Sequence, residues 1–392
     1  MKRQMDVLLL WAVLALVGLG VVMVYSASSV NAAAKLGDPD FYLKRQASFA
    51  LFGLVALFLG SSISSQWWKA AAVPLLGIAA FSLLLVHIPG LGRSGGGAAR
   101  WIGAGPIWIQ PSELCKFALI NFLAYSLHKK QHKIESFQFG FLPHVIVAGG
   151  IAGLLMLQPD FGTSVVLLML TGMMMVLGGV RLRYLLVGIL VAIPAGVLAV
   201  VTKAYRMKRI EAFLDPWSNR QGSGYQVAES LISFGSGGFT GLGLGAGKQK
   251  LFFLPAAHTD FIFAIIGEEL GLLGVMLTVG LFAVIAWRGF LAFQRLGPTT
   301  EGFLCAGLTM LIVMQAATNM AVVLGLLPTK GLTLPFVSYG GSSLVAFCFM
   351  AGVLLRLCAE GVETAPVRVP RFVRRLSQSR SIWSPAIWAS PL

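Results

Sequence analysis

Residues 247–271, GKQKLFFLPAAHTDFIFAIIGEELG, place a group of polar residues directly before an apolar run. Asp260 is the last polar residue before that run, so it is predicted to lie where water gives way to hydrocarbon. Two more carboxylates, Glu268 and Glu269, follow eight and nine residues later. At about 1.5 Å per helical residue they would lie roughly 12 Å deeper, near the middle of a ~30 Å hydrocarbon core. Ionised groups at that depth cost at least ~2.5–3.5 kcal/mol each, so they are predicted to face protein or water and to serve a function.

The composition around this stretch predicts a polytopic membrane protein. Of 392 residues, 57% are hydrophobic and 11% are charged, whereas about 25% are charged in soluble domains. The net charge of +15 is distributed between apolar runs. Basic loops facing anionic membrane lipid explain this charge better than nucleic acid does, and no nucleic-acid partner is predicted.

The apolar runs predict an all-α fold with about ten transmembrane helices. The first run follows Met1-Lys-Arg3 and could be read as a secretory signal. Its length of about 18 residues is long for the apolar region of a signal sequence, and more spans follow, so an uncleaved helix is predicted. The ten spans are placed at 7–25, 47–63, 69–87, 112–127, 142–157, 161–179, 184–202, 260–287, 301–327 and 341–358.

The distribution of Lys and Arg predicts that both termini are cytoplasmic. With the N-terminus inside, the cytoplasmic segments carry 16 Lys and Arg, and the outer segments carry 13. Seven of those 13 lie in one long loop, residues 203–259, between the seventh and eighth spans. The positive-inside rule gives little weight to so long a loop, and without it the ratio is 16 to 6. This orientation makes the loop and Asp260 external.

The chain is predicted to divide into a membrane domain, residues 1–358, and a tail, residues 359–392. The tail mixes Pro, Ser and Arg, so it cannot bury a core and is predicted to be disordered. Its basic residues are expected to be attracted to the inner leaflet.

The glycine run from Gly241 to Lys248 is not a phosphate-binding loop. Leu242 stands where that motif needs its first glycine, and Gln249 follows the lysine where Ser or Thr is needed. A flexible or re-entrant loop beside an active groove is the better interpretation. Asp260 itself has two interpretations at this stage, as the N-cap of its helix or as a chemical group.

Further polar residues near the predicted outer face also have two interpretations each. Glu113 and Lys116 are spaced i, i+3, which favours an intrahelical ion pair. Alternatively, Lys116 beside Arg100 could offer two cations to a diphosphate, arginine as a bidentate fork and lysine as a point charge. Asp160 is either a helix cap or a chemical group, and Lys330 is either a ligand contact or an interfacial anchor.

Short motifs rich in polar residues and glycine occur in order along the chain. They are Ala99-Arg-Trp-Ile-Gly103, Gln110-Pro-Ser-Glu-Leu-x-Lys116, Gln158-Pro-Asp-x-Gly-Thr163, Gly224-Tyr-Gln226, Ala257-His-Thr-Asp-Phe-Ile-Phe-Ala264, Glu268-Glu-Leu-Gly271 and Pro335-x-x-Ser-Tyr-Gly-Gly-Ser-Ser343. Together these motifs resemble one family, the FtsW/RodA/SpoVE (SEDS) proteins of cell-wall synthesis. The resemblance covers residues 7–358, and residues 250–255, 266–270 and 327–335 resemble its division branch. One departure is Ala256, where many division-branch members carry Glu.

The resemblance implies a peptidoglycan glycosyltransferase that polymerises lipid II into a glycan strand on the outer face of the cytoplasmic membrane, at the division septum. It also implies a class B penicillin-binding transpeptidase and other division proteins as partners. Asp260 is the carboxylate expected to take the proton from the attacking sugar hydroxyl. The residues expected to bind substrate are Arg100, Gln110, Glu113, Lys116, Lys330 and Ser338.

Alternatives remain open for the cofactor and for the function. No organic cofactor is expected, but a divalent Mg²⁺ or Mn²⁺ could assist, held by Asp260 in place of its role as a base. The rival functions are a flippase for lipid II and a non-catalytic scaffold of the division complex. A transporter should carry polar residues through its midplane, whereas this chain has mainly Glu268 and Glu269 at that predicted depth. The polymerase is therefore favoured.

Overall fold

The computed structural model describes residues 5–95, 98–104, 107–250, 254–255 and 257–363. The predicted tail lies mostly outside these residues, and so does Ala256. Twelve α-helices occur in the described part: α1 Val7–Leu36, α2 Phe41–Ser62, α3 Ser65–Leu85, α4 Pro111–Lys129, α5 Leu142–Leu157, α6 Phe161–Gly178, α7 Leu182–Val201, α8 Ala204–Leu214, α9 Tyr225–Gly237, α10 Ile262–Leu296, α11 Thr300–Val323 and α12 Gly341–Glu363.

Each of the ten predicted spans coincides with a long helix, which confirms the predicted polytopic helical fold. Nine helices in the described residues are long and apolar enough to cross a membrane. The tenth, α4, is less apolar because it lies inside the bundle, where 14 of its 19 residues are buried. Three of its buried polar side chains, Glu113, Lys116 and Asn121, make hydrogen bonds to protein groups. The predicted loop 203–259 contains two further helices, α8 and α9.

A small antiparallel sheet is the part of the fold that the all-α prediction missed. Its strands are β1 Gly92–Gly95, β2 Ala98–Ala104 and β3 Ile107–Ile109, in the order β1-β2-β3. The strands are short and rich in glycine, so they lack the alternation of apolar residues that reveals a strand in a sequence. The hydroxyl of Ser342 donates to the Trp108 carbonyl at 2.7 Å and joins this sheet to α12.

Helices α1 and α10 are antiparallel neighbours joined by polar contacts near both ends. Arg288 pairs with Asp6 at 2.7 Å, and the Ser26 hydroxyl donates to Glu269 at 2.6 Å. The regular part of the helix between these contacts, from Leu272 to Arg288, is about 24 Å long. That length fits within the ~30 Å thickness of a hydrocarbon core.

The apolar run before Glu268 and Glu269 is buried in protein. Residues 261–266 are at most 3% exposed because they pack inside the bundle. Their hydrophobicity therefore reflects a protein environment, and the position of Glu268 and Glu269 at the middle of the membrane stays a prediction. Gly271 breaks the regular helix, with φ 62° and ψ −159°, so α10 consists of a short helix and a longer one, and Asp260 precedes the short helix.

Helix α7 stands away from the rest of the bundle. Leu185 is its one buried residue. The α7 residue Tyr184 packs its ring 5.4 Å from that of Phe137, and a Cβ added at Gly188 would lie 3.0 Å from the ring of Phe141. The rest of this helix presents an apolar surface to its surroundings.

Candidate active site

Asp260 lies on the short segment that leads into α10, residues 257–261, which we call the strap. Phe261 occupies the cap position of that helix, and no side chain caps it. The capping interpretation of Asp260 is therefore wrong. Its backbone carbonyl accepts a hydrogen bond from Nδ2 of Asn319 at 2.8 Å, while its carboxylate makes no hydrogen bond within the described residues. Asn319 thus holds the backbone of Asp260, and the carboxylate remains available to a substrate.

Two polar residues of α11, one helical turn apart, fix the segment that faces Asp260. Nδ2 of Asn319 also donates to the Leu332 carbonyl at 2.7 Å. Nε2 of Gln315 donates to the Thr333 carbonyl at 3.0 Å. As a result Gly331 lies against the carboxylate, where an added Cβ would be 3.4 Å from Oδ2 of Asp260. The absence of a side chain at this position leaves space beside the carboxylate.

A cavity of about 500 Å³ is lined by Gly331, although Asp260 is not among its lining residues. Four cationic side chains from three parts of the chain line it. Its only acidic lining residue, among those described, is Asp160. The partly buried Asp260 carboxylate is thus separated by Gly331 from a cavity with a concentrated positive charge. The cations are Arg100 from β2, Arg206 and Arg209 from α8, and Lys330 from the segment between α11 and α12.

The arginines keep donor groups available to a ligand in this cavity. Nη2 of Arg100 donates to the Pro159 carbonyl at 3.0 Å, while its Nε is buried and has no hydrogen-bond partner in the described part of the chain. Nη1 of Arg209 donates to the Thr329 carbonyl at 3.3 Å. Backbone carbonyls orient both guanidinium groups without neutralising them, so each keeps its charge for an anion.

The surroundings of Asp260 raise the pKa of its carboxyl group towards neutral pH. Burial raises the pKa of Asp260 to about 6, although the nearby Arg100 and Arg209 act in the opposite direction. Burial also lowers the pKa of Lys330. A carboxylate with a pKa of about 6 is a stronger base than an ordinary aspartate and is still mostly ionised at pH 7.

His258, two residues before Asp260, is part of an aromatic cluster. Its ring lies 4.6 Å from that of Tyr42 and 5.6 Å from that of Tyr339, measured between centroids. Its backbone carbonyl accepts from the Tyr339 N–H at 2.9 Å. Burial lowers the pKa of His258 to about 4, and Lys35 acts in the same direction. The imidazole is therefore neutral at pH 7 and holds the strap in place.

The structure does not bring Lys116 into the cavity that contains Arg100. The Lys116 ammonium is 2% exposed and donates to Oε1 of Glu113 and to Oε1 of Gln315, both at 2.8 Å. The predicted intrahelical ion pair is thus present, inside the bundle. Gln315 also holds the Thr333 carbonyl, so this pair supports the segment facing Asp260 from within the protein.

Three other residues that the sequence analysis singled out lie at the start of a helix or inside the protein. Gln110 occupies the cap position of α4, with no side-chain hydrogen bond to the helix. The Ser338 hydroxyl is buried and accepts from the Leu334 N–H at 2.8 Å. Asp160 accepts from both the backbone and the hydroxyl of Thr163, which confirms its interpretation as a helix cap. Of the predicted substrate-binding residues, Arg100 and Lys330 line the cavity.

The glutamate pair has a clear structural role in the described residues. Nζ of Lys250 donates to Glu269 at 2.7 Å and to Ser26 at 3.1 Å. Glu268 accepts from the backbone N–H groups of Lys248 and Gln249, at 2.7 and 3.2 Å. These bonds fasten residues 241–250 to α10 and α1. The segment is thus held against these helices, and its re-entrant course through the membrane stays a prediction.

Replacing Glu269 by alanine should therefore destabilise the protein, because it leaves the Lys250 ammonium buried without a counter-charge. Removing one member of such a pair costs about 3–5 kcal/mol. Thermal unfolding followed with a thiol-reactive dye suits this chain, since its four cysteines are buried and unpaired. Glu211→Ala, at an exposed position of α8, is the matched control and should leave the midpoint unchanged. An equal midpoint for both variants would contradict the assigned role.

The donor set around Asp260 does not fit a metal centre built by the protein. No group of three or more His, Cys, Asp or Glu side chains that could hold an ion occurs in the described ranges. The charged groups that act on the Asp260 carboxylate are Arg100 and Arg209. Cations repel a divalent ion, whereas they favour an anionic ligand. No step of the chemistry is therefore assigned to a metal.

Four residues of this site were not identified from the sequence. Gln315 and Asn319 are spaced i, i+4 in an otherwise apolar helix, and polar residues in such a helix usually serve a function. Arg206 and Arg209 are spaced i, i+3 on α8, within a loop whose fold was not predicted. Gln315 and Asn319 could have been found by their spacing. The role of Arg206 and Arg209 could not, because it depends on where α8 packs against the rest of the protein.

Comparison with known proteins yields consistent matches along the chain. Residues 7–362 match the family model FTSW_RODA_SPOVE, described as cell cycle protein. A protein from Trichlorobacter lovleyi, named probable peptidoglycan glycosyltransferase FtsW, is 47% identical over 93% of this chain and 95% of its own length. A protein of the same name from Thioalkalivibrio sulfidiphilus is 44% identical over 95% of this chain and 94% of its own length.

Two solved structures have the same fold. A chain from "Structural coordination of polymerization and crosslinking by a peptidoglycan synthase complex" is 30% identical, with a TM-score of 0.75 over 91% of this chain and 98% of that chain. The crystal structure of the Thermus thermophilus rod shape determining protein RodA is 28% identical, with a TM-score of 0.68 over 93% of this chain and 99% of that chain.

Proposed function

The chain belongs to the FtsW/RodA/SpoVE family of cell cycle proteins, and from this premise we propose that it is a peptidoglycan glycosyltransferase that joins lipid II units into glycan strands. The observation that carries the proposal is the position of the Asp260 carboxylate beside Gly331, a residue that lines the cationic cavity. A base and a site for a leaving diphosphate are the two elements that this transfer requires.

The cavity suits the diphosphate of a lipid-linked donor. Arg100 and Arg209 present guanidinium forks, which bind phosphate oxygens in pairs. Lys330 adds a point charge on the same side. This set replaces the sequence-based pairing of Arg100 with Lys116, whose ammonium is already bonded inside the bundle. As the glycosidic bond to the donor breaks, negative charge develops on the departing diphosphate, and these cations stabilise it.

Asp260 supplies the base for the acceptor. The acceptor sugar hydroxyl attacks the anomeric carbon of the donor, its oxygen forms the new glycosidic bond, and its proton passes to the Asp260 carboxylate. The bond from that carbon to the diphosphate oxygen breaks, and the lipid diphosphate leaves. Asn319 keeps the Asp260 backbone and the facing Leu332 carbonyl at a constant separation. Direct displacement of this kind inverts the configuration at the anomeric carbon.

The activity is tested with the purified full chain, alone and with a class B penicillin-binding transpeptidase, on fluorescent lipid II. Glycan ladders on a gel support the polymerase. Translocation of lipid II across vesicles without ladders would instead favour the flippase, and neither activity would favour the scaffold. We propose the transpeptidase as the partner because a related structure is that of a complex for polymerization and crosslinking. Septal localisation is part of the same proposal.

The orientation of the chain in the membrane is tested by cysteine labelling in intact cells. Ser223→Cys, in the loop before α9, should react with a membrane-impermeant maleimide, because the positive-inside rule makes that loop external. His132→Cys, at the opposite end of the bundle, should react only after permeabilisation. Both positions are exposed, and the native cysteines are buried. The reverse pattern would place Asp260 at the cytoplasmic face.

The rate of polymerisation should depend on pH through Asp260. The base is active when deprotonated, so activity should rise with pH, reach half of its maximum near pH 6 and level off about one pH unit higher. Arg209→Ala removes a charge that lowers this pKa, so the rising part of the profile should move to higher pH. Lys208→Ala removes an equal charge from an exposed neighbouring position and should leave the profile unchanged. An unshifted profile in Arg209→Ala would separate Asp260 from the observed pH dependence.

A further inference from the structure

A second, larger recess lies at the opposite end of the bundle from Asp260. It has a volume of about 730 Å³ and is formed by the α4–α5 connection and the beginning of α7. Helix α6 shows the separation between the two sites. Its first residue, Phe161, lines the cationic cavity, and its last, Gly178, accepts a hydrogen bond from Gln131 beside this recess. An 18-residue helix is about 27 Å long. We refer to this recess as the basal groove.

The basal groove carries an excess of positive charge. Lys133 and Arg181 line it, and the one acidic lining residue is Glu135, which pairs with Arg181 at 3.0 Å. The Lys133 ammonium has no carboxylate partner among the described residues and lies 5.0 Å from the centre of the Phe139 ring. Lys129 and Lys130 directly precede this segment. Burial lowers the pKa of Lys130, and repulsion from Lys129 lowers it further, as expected where cations are crowded.

An apolar surface adjoins these charges. Phe137 and Phe139 are 40% and 45% exposed at the edge of the basal groove. The groove continues into α7, whose apolar side chains are largely exposed, among them Leu182, Leu186 and Leu190. Tyr184, which also lines the groove, has the amphipathic ring that is typical of the level where headgroups meet acyl chains. A long exposed apolar helix is suited to contact with the acyl chains themselves.

We propose that the basal groove binds an anionic phospholipid. Its phosphate interacts with Lys133 and Arg181, and its acyl chains lie along α7. An acidic peptide would match the charges but not the apolar helix beside them, and a zwitterionic lipid would match the helix but not the charge. Basic recesses between membrane helices are known to select anionic headgroups. Because α7 meets the bundle at Tyr184, Leu185 and Gly188, a lipid bound there also contacts the attachment point of that helix.

The proposal is tested by native mass spectrometry of the full chain released from nanodiscs that contain phosphatidylcholine with or without phosphatidylglycerol. We expect selective retention of phosphatidylglycerol. Lys133→Ala should reduce that retention about fivefold, the usual contribution of one cation near a membrane surface, and Lys133→Arg should preserve it. Lys69→Ala removes the same charge from an exposed position of α3 and should have no effect.

A double variant separates charge from the local ion pair. Arg181→Ala leaves the Glu135 carboxylate without its arginine, so it should reduce retention more than Lys133→Ala does. Arg181→Ala combined with Glu135→Ala should recover part of the loss. Thermal unfolding in phosphatidylcholine nanodiscs should be similar for all variants, which checks folding independently of lipid. Equal retention of both lipids, or an equal loss in Lys69→Ala, would overturn the proposal.

Discussion

Replacing Asp260 by asparagine is expected to lower the rate of glycan polymerisation by about 100-fold or more, the scale on which loss of a general base acts. Asparagine keeps the size of the side chain but cannot accept the proton of the attacking hydroxyl. The backbone bond from Asn319 does not involve the side chain, so the strap should remain in place. The measurement is the initial rate of ladder formation from fluorescent lipid II, at equal protein and equal thermal stability.

Three comparisons make this result specific. Asp215→Asn changes an exposed carboxylate elsewhere in the same predicted outer loop and should retain normal activity. Asp260→Glu should recover little, because one more methylene displaces the carboxylate from the position that it has in aspartate. Titration with Mg²⁺ or Mn²⁺ distinguishes a base from a ligand, since added ion would partly rescue the asparagine variant only if Asp260 held that ion. An ordinary rate for Asp260→Asn would remove this residue from the chemistry.

The second large effect is expected for Arg100→Ala, which should lower polymerisation by about 10²-fold, as removal of a charge-stabilising donor does in other enzymes. Arg100 lines the cavity, and its guanidinium donates to the Pro159 carbonyl and to no carboxylate among the described residues, so its charge is available to a ligand. Arg100→Lys should recover only part of the rate, because a single ammonium does not reproduce the bidentate fork. The rate is again taken from the ladder assay, together with thermal unfolding.

The same sheet offers a matched control for Arg100. Arg93 lies on β1 with its guanidinium over the Trp108 ring, at 4.6 Å from the ring centre, and is not among the residues that line the cavity. Arg93→Ala removes the same charge within the same sheet and should leave the rate nearly unchanged. If both variants lost activity equally, the effect would come from the sheet or from its overall charge. The cationic cavity would then no longer be assigned to the diphosphate.

Much of this architecture could be predicted from local sequence, because lipid imposes a strong local requirement. A helix that crosses a membrane must be long and mostly apolar, and each predicted span coincides with a helix of the structure. Asp260 was also recognisable, since a carboxylate at the start of an apolar run is unusual. The cap role of Asp160 followed from its place before a helix, and the structure confirms it.

The composition of the site depended on contacts between residues far apart in the chain, which only the tertiary structure reveals. The chain itself determined a bundle of membrane helices with one carboxylate at the start of α10, because hydrophobicity and helix length act locally. Packing decided that Lys116 bonds to Gln315, 199 positions away, while Arg206 and Arg209 of α8 join Arg100 in the cavity. It also decided that the apolar residues before Glu268 are buried in protein and not in lipid. Hydrophobicity is the same in both environments, so the sequence pattern cannot tell them apart.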